Sequence, residues 1–189
     1  HPVRVLYRPP RSGEKPWEGA ARLTAEAQAL LDAEGGGDTL VFLPGFREII
    51  RARETLGRDY PNLGADIVTL HGQLPPEEQR RVLTPRPGGQ GRIILSTNVA
   101  ETSLTIPGVR AVADSGLERR VRYLPRTGMD HWDTVPISNA SAEQRKGRAG
   151  RLGPGLCLRW WSESDRRDEF SPPEISESDL APLVLETAL

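Results

Sequence analysis

The feature that most restricts this chain is an alternation: short apolar, β-branched runs are each followed by a stretch with helical spacing. Val3 to Tyr7 reads as a strand, and Pro9 to Trp17 as a polar connection. Glu18 to Glu34, with Leu23, Ala27, Leu30 and Leu31 on one side, reads as a helix that Gly35-Gly36-Gly37 stops. Thr39 to Leu43 is the next strand, followed by a turn at Pro44-Gly45 and a helix from Phe46 to Asp59. Ala65 to Leu70 is a strand and Pro75 to Leu83 a helix, its prolines in the first turn where a missing N–H costs little. Arg92 to Ser96, Val109 to Asp114 and Gly155 to Trp161 complete the strands. Such an alternation predicts the α/β class, with a mostly parallel sheet flanked by helices on both faces. In sheets of that kind function collects in loops at the carboxyl ends of strands. Here those are Pro44-Gly45, His71-Gly72, Thr97-Asn98 and the segment after Asp114.

The pattern changes from Leu117 to Ser138. Arg119 to Tyr123 and Trp132 to Ile137 alternate around a turn near Thr127-Gly128, so an antiparallel β-hairpin spanning about 117–138 is expected as an addition to the sheet. Residues 1–171 read as one domain. Residues 172–189 read as the lead-in to a following helical module, and a chain of 189 residues that starts at His1 reads as a fragment.

Hydrophobic residues make up 37% and charged residues 27%, and the net charge is −1, so the chain as a whole does not attract polyanions. Charge is uneven, however. Between Leu117 and Arg151, Arg119, Arg120, Arg122, Arg126, Arg145, Lys146, Arg148 and Arg151 face only Glu118, Asp130, Asp133 and Glu143. Cys157 is the sole cysteine, which excludes an internal disulfide; flanked by Leu156 and Leu158, it reads as a buried, inert thiol. Three histidines without cysteine partners give no metal spacing. No run approaches a membrane span and no signal peptide is visible, so a cytoplasmic protein is expected.

The densest chemistry lies in Gln144-Arg145-Lys146-Gly147-Arg148-Ala149-Gly150-Arg151. Arginine offers a planar fork of donors that matches phosphate oxygens. On a helix Arg148 and Arg151 share a face, with Gln144 one turn earlier and Ser141 as a cap before Ala142. Two readings stand side by side: a solvated basic helix end, and an anion clamp. The glycines favour the second, since they weaken a helix and need a packing or approach reason.

In order, Leu40-Val41-Phe42-Leu43-Pro44-Gly45, Leu70-His71-Gly72-Gln73-Leu74-Pro75, Ser96-Thr97-Asn98-Val99-Ala100-Glu101-Thr102-Ser103-Leu104-Thr105-Ile106 and the Gln144–Arg151 run resemble motifs IV through VI of superfamily 2 helicases. The Thr-Asn-x-Ala-Glu-Thr-Ser-Leu-Thr-Ile form is typical of the DEAH/RHA branch. Pro125-Arg126-Thr127-Gly128, Arg151-Leu152-Gly153-Pro154-Gly155 and Pro173-Glu174-Ile175 are similar to bacterial HrpB-type helicases. The resemblance covers nearly the whole chain and implies a second RecA-like domain of an ATP-dependent, RNA-directed helicase.

That resemblance implies roles residue by residue. Gln144 would help position the attacking water, and Arg148 and Arg151 would reach the γ-phosphate of ATP held on the first RecA-like domain. Thr105 would lie at the ribose, where Pro107 replaces an assisting acid, and Leu83 would cover the adenine face in place of an aromatic. Thr97 and Asn98 would bind the backbone of a single strand, with Gly45 and Gly72 allowing close phosphate approach. The hairpin's Arg119, Arg120, Arg122 and Arg126, interleaved with Tyr123 and Trp132, would guide a single strand, with Arg120 and Arg122 contacting nucleic acid; the bland alternative is a charged edge that resists aggregation. ATP and Mg²⁺ are implied, held mainly by the first domain, because this chain has neither a Gly-x-x-x-x-Gly-Lys-Ser/Thr loop nor an Asp-Glu-Ala-His tetrad. The implied protein is monomeric, binds no membrane, and as this isolated chain does not hydrolyse ATP. Two other classes stay open here: a non-catalytic binding module that kept the fold, and a DNA-directed translocase of the same superfamily.

Overall fold

The computed structural model describes residues 1–84, 91–102, 105–124 and 126–173. Strands β1 (Val3–Tyr7), β2 (Asp38–Phe42), β3 (Asp66–Leu70), β4 (Arg92–Ser96), β5 (Val109–Asp114) and, late in the chain, β8 (Gly155–Arg159) form one six-stranded sheet in the order β1-β8-β5-β2-β4-β3. All of its pairings are parallel. Strands β6 (Leu117–Leu124) and β7 (Met129–Pro136) pair antiparallel as a separate two-stranded sheet, the expected hairpin. The helices are α1 (Pro16–Asp32), α2 (Phe46–Asp59), α3 (Pro76–Leu83), α4 (Val99–Thr102) and α5 (Asn139–Gly147).

Strands β2 and β4 lie in the middle and are buried along their whole length, which is why they read as continuous apolar runs. Alternate residues feed two cores. Val41, Ile93, Leu95, Ala113 and Leu158 meet Leu23, Leu31, Ile49 and Leu56 of α1 and α2 on one face. Leu40, Phe42, Ile94, Val112 and Cys157 meet Val82 of α3 and Ala100 of α4 on the other. Each fully buried Leu, Ile or Phe contributes roughly 1.5–3 kcal/mol.

The differences from expectation have local causes. Helix α1 begins two residues early because Lys15 caps it and the Glu18 carboxylate accepts the Lys15 N–H at 2.9 Å, with Pro16 in the first turn. Strand β8 stops at Arg159, so Trp160 and Trp161 leave the sheet and pack in different places. Trp160 packs on the α1/α2 core and donates to Glu14 Oε2 at 2.8 Å, whereas Trp161 joins a small cluster with Ile137 and Ala142. Helix α5 is capped by Ser138, not Ser141: the Ser138 hydroxyl accepts the Ser141 N–H at 3.2 Å. The helix also ends at Gly147, so Arg148 is its C-cap and Arg151 lies past it, and the two do not share a helical face. Gly150 explains the stop. The chain there runs against β1, where a Cβ would sit 2.7 Å from Val3 Cγ2 and 2.8 Å from the His1 carbonyl. The expected lead-in module falls, from residue 174 onward, outside the described residues.

Candidate functional site

Three loops at the carboxyl edge of the sheet meet in one cleft of about 440 Å³. Pro44-Gly45 follows β2, His71-Gly72 follows β3 and Thr97-Asn98 follows β4, and all of them line it. The register of the strands brings them level. Leu43 N–H donates to the Ser96 carbonyl at 2.8 Å, and the Ser96 hydroxyl donates to the Leu70 carbonyl at 3.0 Å. Gly45 is the N-cap of the 14-residue helix α2, so the unsatisfied N–H groups of its first turn and its dipole favour an anion at this end. The Thr97 hydroxyl and the Asn98 amide add neutral hydrogen-bonding groups to the cleft beside that helix end.

The 148–151 turn lies at the opposite, amino edge of the strands. The His1 backbone nitrogen donates to the Gly150 carbonyl at 2.8 Å, and Gly155 N–H donates to the Pro2 carbonyl at 3.0 Å, which pins the 148–151 turn to the starts of β1 and β8. Arg151 is exposed, and its Nη1 donates to Oγ1 of Thr105 in the segment that leads into β5. Arg148 is 8% exposed and donates through Nη2 to the Glu101 carbonyl. Burial, and then the charge of Arg151, push its pKa below the usual guanidinium value, against an opposing pull from Glu101. Gln144 is exposed on α5. Leu83 is half-buried at the end of α3 and packs on the second core. Arg92 draws that helix end towards the amino edge: it donates to the Val82 carbonyl at 2.9 Å and the Pro107 carbonyl at 3.3 Å while paired with Asp38 at 2.6 Å.

At the carboxyl ends of β2 and β5 lies a buried charge cluster that the basic run alone does not reveal. Arg145, 1% exposed, donates to Glu101 Oε2 at 2.8 Å, Asp114 Oδ1 at 3.0 Å and the Leu117 carbonyl at 3.2 Å, with its guanidinium 4.8 Å from the Phe42 ring. Burial by itself would lower its pKa, but Asp114 and Glu101 outweigh that and hold it raised. The Ser141 hydroxyl donates to the other Glu101 oxygen at 2.5 Å. Glu101 thus stands three residues after Asn98 and clasps the helix that leads to Arg148.

Comparison with known families decides what this arrangement belongs to. A profile described as "Helicase conserved C-terminal domain" matches residues 23–153, the span that holds the three cleft loops, the buried cluster and the 148–151 turn. The chain belongs to that helicase C-terminal domain family. It is 43% identical over 195 residues to the ATP-dependent RNA helicase HrpA homolog of Haemophilus influenzae, matched over 100% of this chain and 14% of that protein. It is 41% identical over 189 residues to the ATP-dependent RNA helicase HrpB of Escherichia coli, over 98% of this chain and 22% of that protein. The crystal structure of the Escherichia coli DEAH/RHA helicase HrpB superposes with a TM-score of 0.85 at 39% identity, covering 98% of this chain and 23% of that one. The chain therefore spans between about a seventh and a quarter of the length of these relatives.

Within this helicase C-terminal domain the hairpin divides its expected arginines between two faces. Register pairs Arg119 with Thr134 and Val121 with Trp132, so Arg119 and Trp132 share one face, and both line the carboxyl-edge cleft. The Arg119 guanidinium lies 5.8 Å from the Trp132 ring. Arg120 and Arg122 alternate onto the other face, and Arg120 is bonded to Glu118 at 2.7 Å. Two exposed aromatics flank the cleft: Trp132, and Phe46, whose ring is 4.7 Å from His71. The alternation of Arg119, Val121 and Tyr123 held this information in part, because it separates the two arginine faces. What it lacked was which face turns inward.

Among the described residues no helix is long and apolar enough to cross a membrane, and no group of three or more His, Cys, Asp or Glu is arranged to hold a metal ion.

Proposed function

We propose that this chain is the second RecA-like domain of an ATP-dependent, HrpB-type DEAH/RHA RNA helicase. It supplies half of an ATPase site at its amino edge and part of a single-strand track at its carboxyl edge. The observation that carries the reading is Arg151, an exposed guanidinium at the amino edge that meets the Thr105 hydroxyl beside the desolvated cation Arg148. Two cations held this close favour an anion between or beside them, and a phosphoryl transition state spreads negative charge over its oxygens. Arg148 and Arg151 would stabilise that charge on ATP held by the first RecA-like domain, and Gln144 would orient water. Thr105 and Leu83 would face the ribose and base. Mg²⁺ would be held with ATP on the first domain.

At the other edge Thr97, Asn98 and the α2 N-terminus at Gly45 would bind backbone phosphates, with Arg119 as the local cation. Glu101 connects the two edges by direct bonds, so closure of the domains on ATP would be felt at Thr97 and Asn98.

The test uses the full-length protein. Arg151→Ala should lower RNA-stimulated ATP hydrolysis by about 10³-fold with single-stranded RNA affinity kept. Arg119→Ala should weaken RNA binding and reduce the slope of log affinity against log salt by about 0.7. The isolated domain should not turn over ATP. Unchanged hydrolysis in Arg151→Ala would instead support a non-catalytic binding module.

A further inference from the structure

The hairpin is not hydrogen-bonded into the main sheet; it is a sheet of its own. A lone two-stranded hairpin is marginally stable in water, so whatever holds its root decides where its tip and faces point. The root is two residues, Gly116 before β6 and Ile137 after β7, joined by Ile137 N–H to the Gly116 carbonyl at 3.0 Å. Gly116 turns there with φ +70°, and a Cβ would meet the Trp161 ring at 2.5 Å and Arg167 Nη2 at 2.7 Å.

Arg167 closes over this root. Its Nη1 donates to the Gly116 carbonyl at 2.8 Å and to the Ile137 carbonyl at 3.2 Å, so one nitrogen spans both ends of the hairpin. Its guanidinium lies 4.0 Å from the Trp161 ring, and Trp161 is itself buried against Tyr7, Ile137 and Ala142. The residues beside it complete a strap. The Asp168 carbonyl accepts the Asn139 N–H at 2.8 Å and the Glu169 carbonyl accepts the Ala140 N–H at 3.1 Å, so the first turn of α5 is capped by the same segment.

Resting on the reading of the cleft as a single-strand track, we propose that Arg167 is a positioning residue that sets the angle of the hairpin and thereby holds Trp132 and Arg119 over the cleft. It touches no candidate ligand site. It acts from the far end of the hairpin, through a rigid root of two carbonyls and one indole.

In the full-length protein, Arg167→Ala should lower amide exchange protection across Leu117–Pro136 about tenfold or more, with protection of β2, β4 and β5 unchanged. Affinity for a single-stranded oligoribonucleotide should fall about as far as in Trp132→Ala, and the double variant should fall no further, since the two act as one unit. Arg167→Lys keeps a cation near the carbonyls but loses the planar stack, and should give intermediate protection. Hairpin protection that does not change, a loss spread evenly over the central strands, or additive losses in the double variant would each overturn the proposal. Exchange at the hairpin does not depend on catalysis. Wild-type protein without RNA-stimulated ATPase activity would therefore remove the functional reading and leave the strap standing.

Discussion

Arg145 and Arg151 stand in one basic run and have opposite surroundings. Arg145 is sealed in the core with two carboxylates, a carbonyl and the face of Phe42 around it. Arg151 is at the surface and donates to a hydroxyl. In the first case the protein has already supplied the counter-charge, and the guanidinium is a structural tie between α4, β5 and α5. In the second the acceptor is neutral, and the remaining donors suit an anion brought from outside. Arg148 shares features of both: it is desolvated like Arg145, and like Arg151 it donates to a neutral oxygen, here the Glu101 carbonyl. An arginine's partners, more than its place in a motif, separate a side chain already neutralised inside the fold from one left open to solvent.

The hardest test of that contrast is stability. Arg145→Ala leaves Glu101 and Asp114 buried without their cation, a loss of about 3–5 kcal/mol and on the order of 10 °C in melting temperature. Arg151→Ala removes an exposed contact to one hydroxyl and should stay within about 0.5 kcal/mol of the parent. Thermal melts of the two variants side by side check this; equal losses would erase the distinction between the two arginines.

Cys157 reports the same contrast from inside. Burial, and next the negative charge of Asp114, push its thiol up to about 12, so in the closed protein it reacts only through opening. Removing Arg145 strips Asp114 of its cation, which makes a thiolate in the closed state still less favourable. Faster labelling by a thiol reagent in Arg145→Ala can therefore come only from opening. A rise of about 10²-fold follows from a loss near 3 kcal/mol. Arg151→Ala should label at the parental rate.

Where the sequence was legible, the reason is that one local rule acted alone. Helix α2, β4 and β5 fall on the expected residues because apolar periodicity met no competing tertiary demand. Helix α5 was misread at both ends for the opposite reason. Ser138 lies nearer the hairpin and caps first, leaving the Ser141 hydroxyl to Glu101, and the far end is cut short where Gly150 must pass against β1. The three cleft loops were legible as strand ends, yet their gathering into one cleft depends on the strand order, which spacing does not contain. The same holds for the role of Arg145. Nothing in an octamer with three arginines says which one points inward until Asp114 and Glu101 are brought to it from more than thirty residues away.

A pair outside the motifs gives the contrast a pH axis. Glu14 is bonded to Arg22 at 2.7 Å and also accepts from Trp160; the Arg22 hydrogen bond, working against burial, holds its carboxyl near about 2 rather than 4.5. A depressed folded pKa adds stability that is complete above the unfolded value and is lost as pH falls through the folded one. The parent should therefore lose more stability than Glu14→Gln between pH 4.5 and 2. Acid titrations of unfolding for both proteins, subtracted, isolate the pair. A difference that grows above pH 4.5 would have the wrong sign.

The smallest expected effect is the most direct probe of an outside counter-charge. If Arg148 and Arg151 favour an anion, inorganic pyrophosphate should stabilise the chain by mass action, about 1.4 kcal/mol at ten times its dissociation constant. That is a few degrees in melting temperature. Salt at matched ionic strength controls for general screening, which acts on all surface pairs alike. In Arg151→Ala the pyrophosphate increment should vanish above that control, because the exposed partner of the pair is gone. The α2 N-terminus at Gly45 is the competing anion site, and Thr97→Ala with Asn98→Ala separates the two. If the increment follows those cleft residues and ignores Arg151, the anion belongs to the carboxyl edge, and the amino-edge cations are no more open to a phosphate than Arg145.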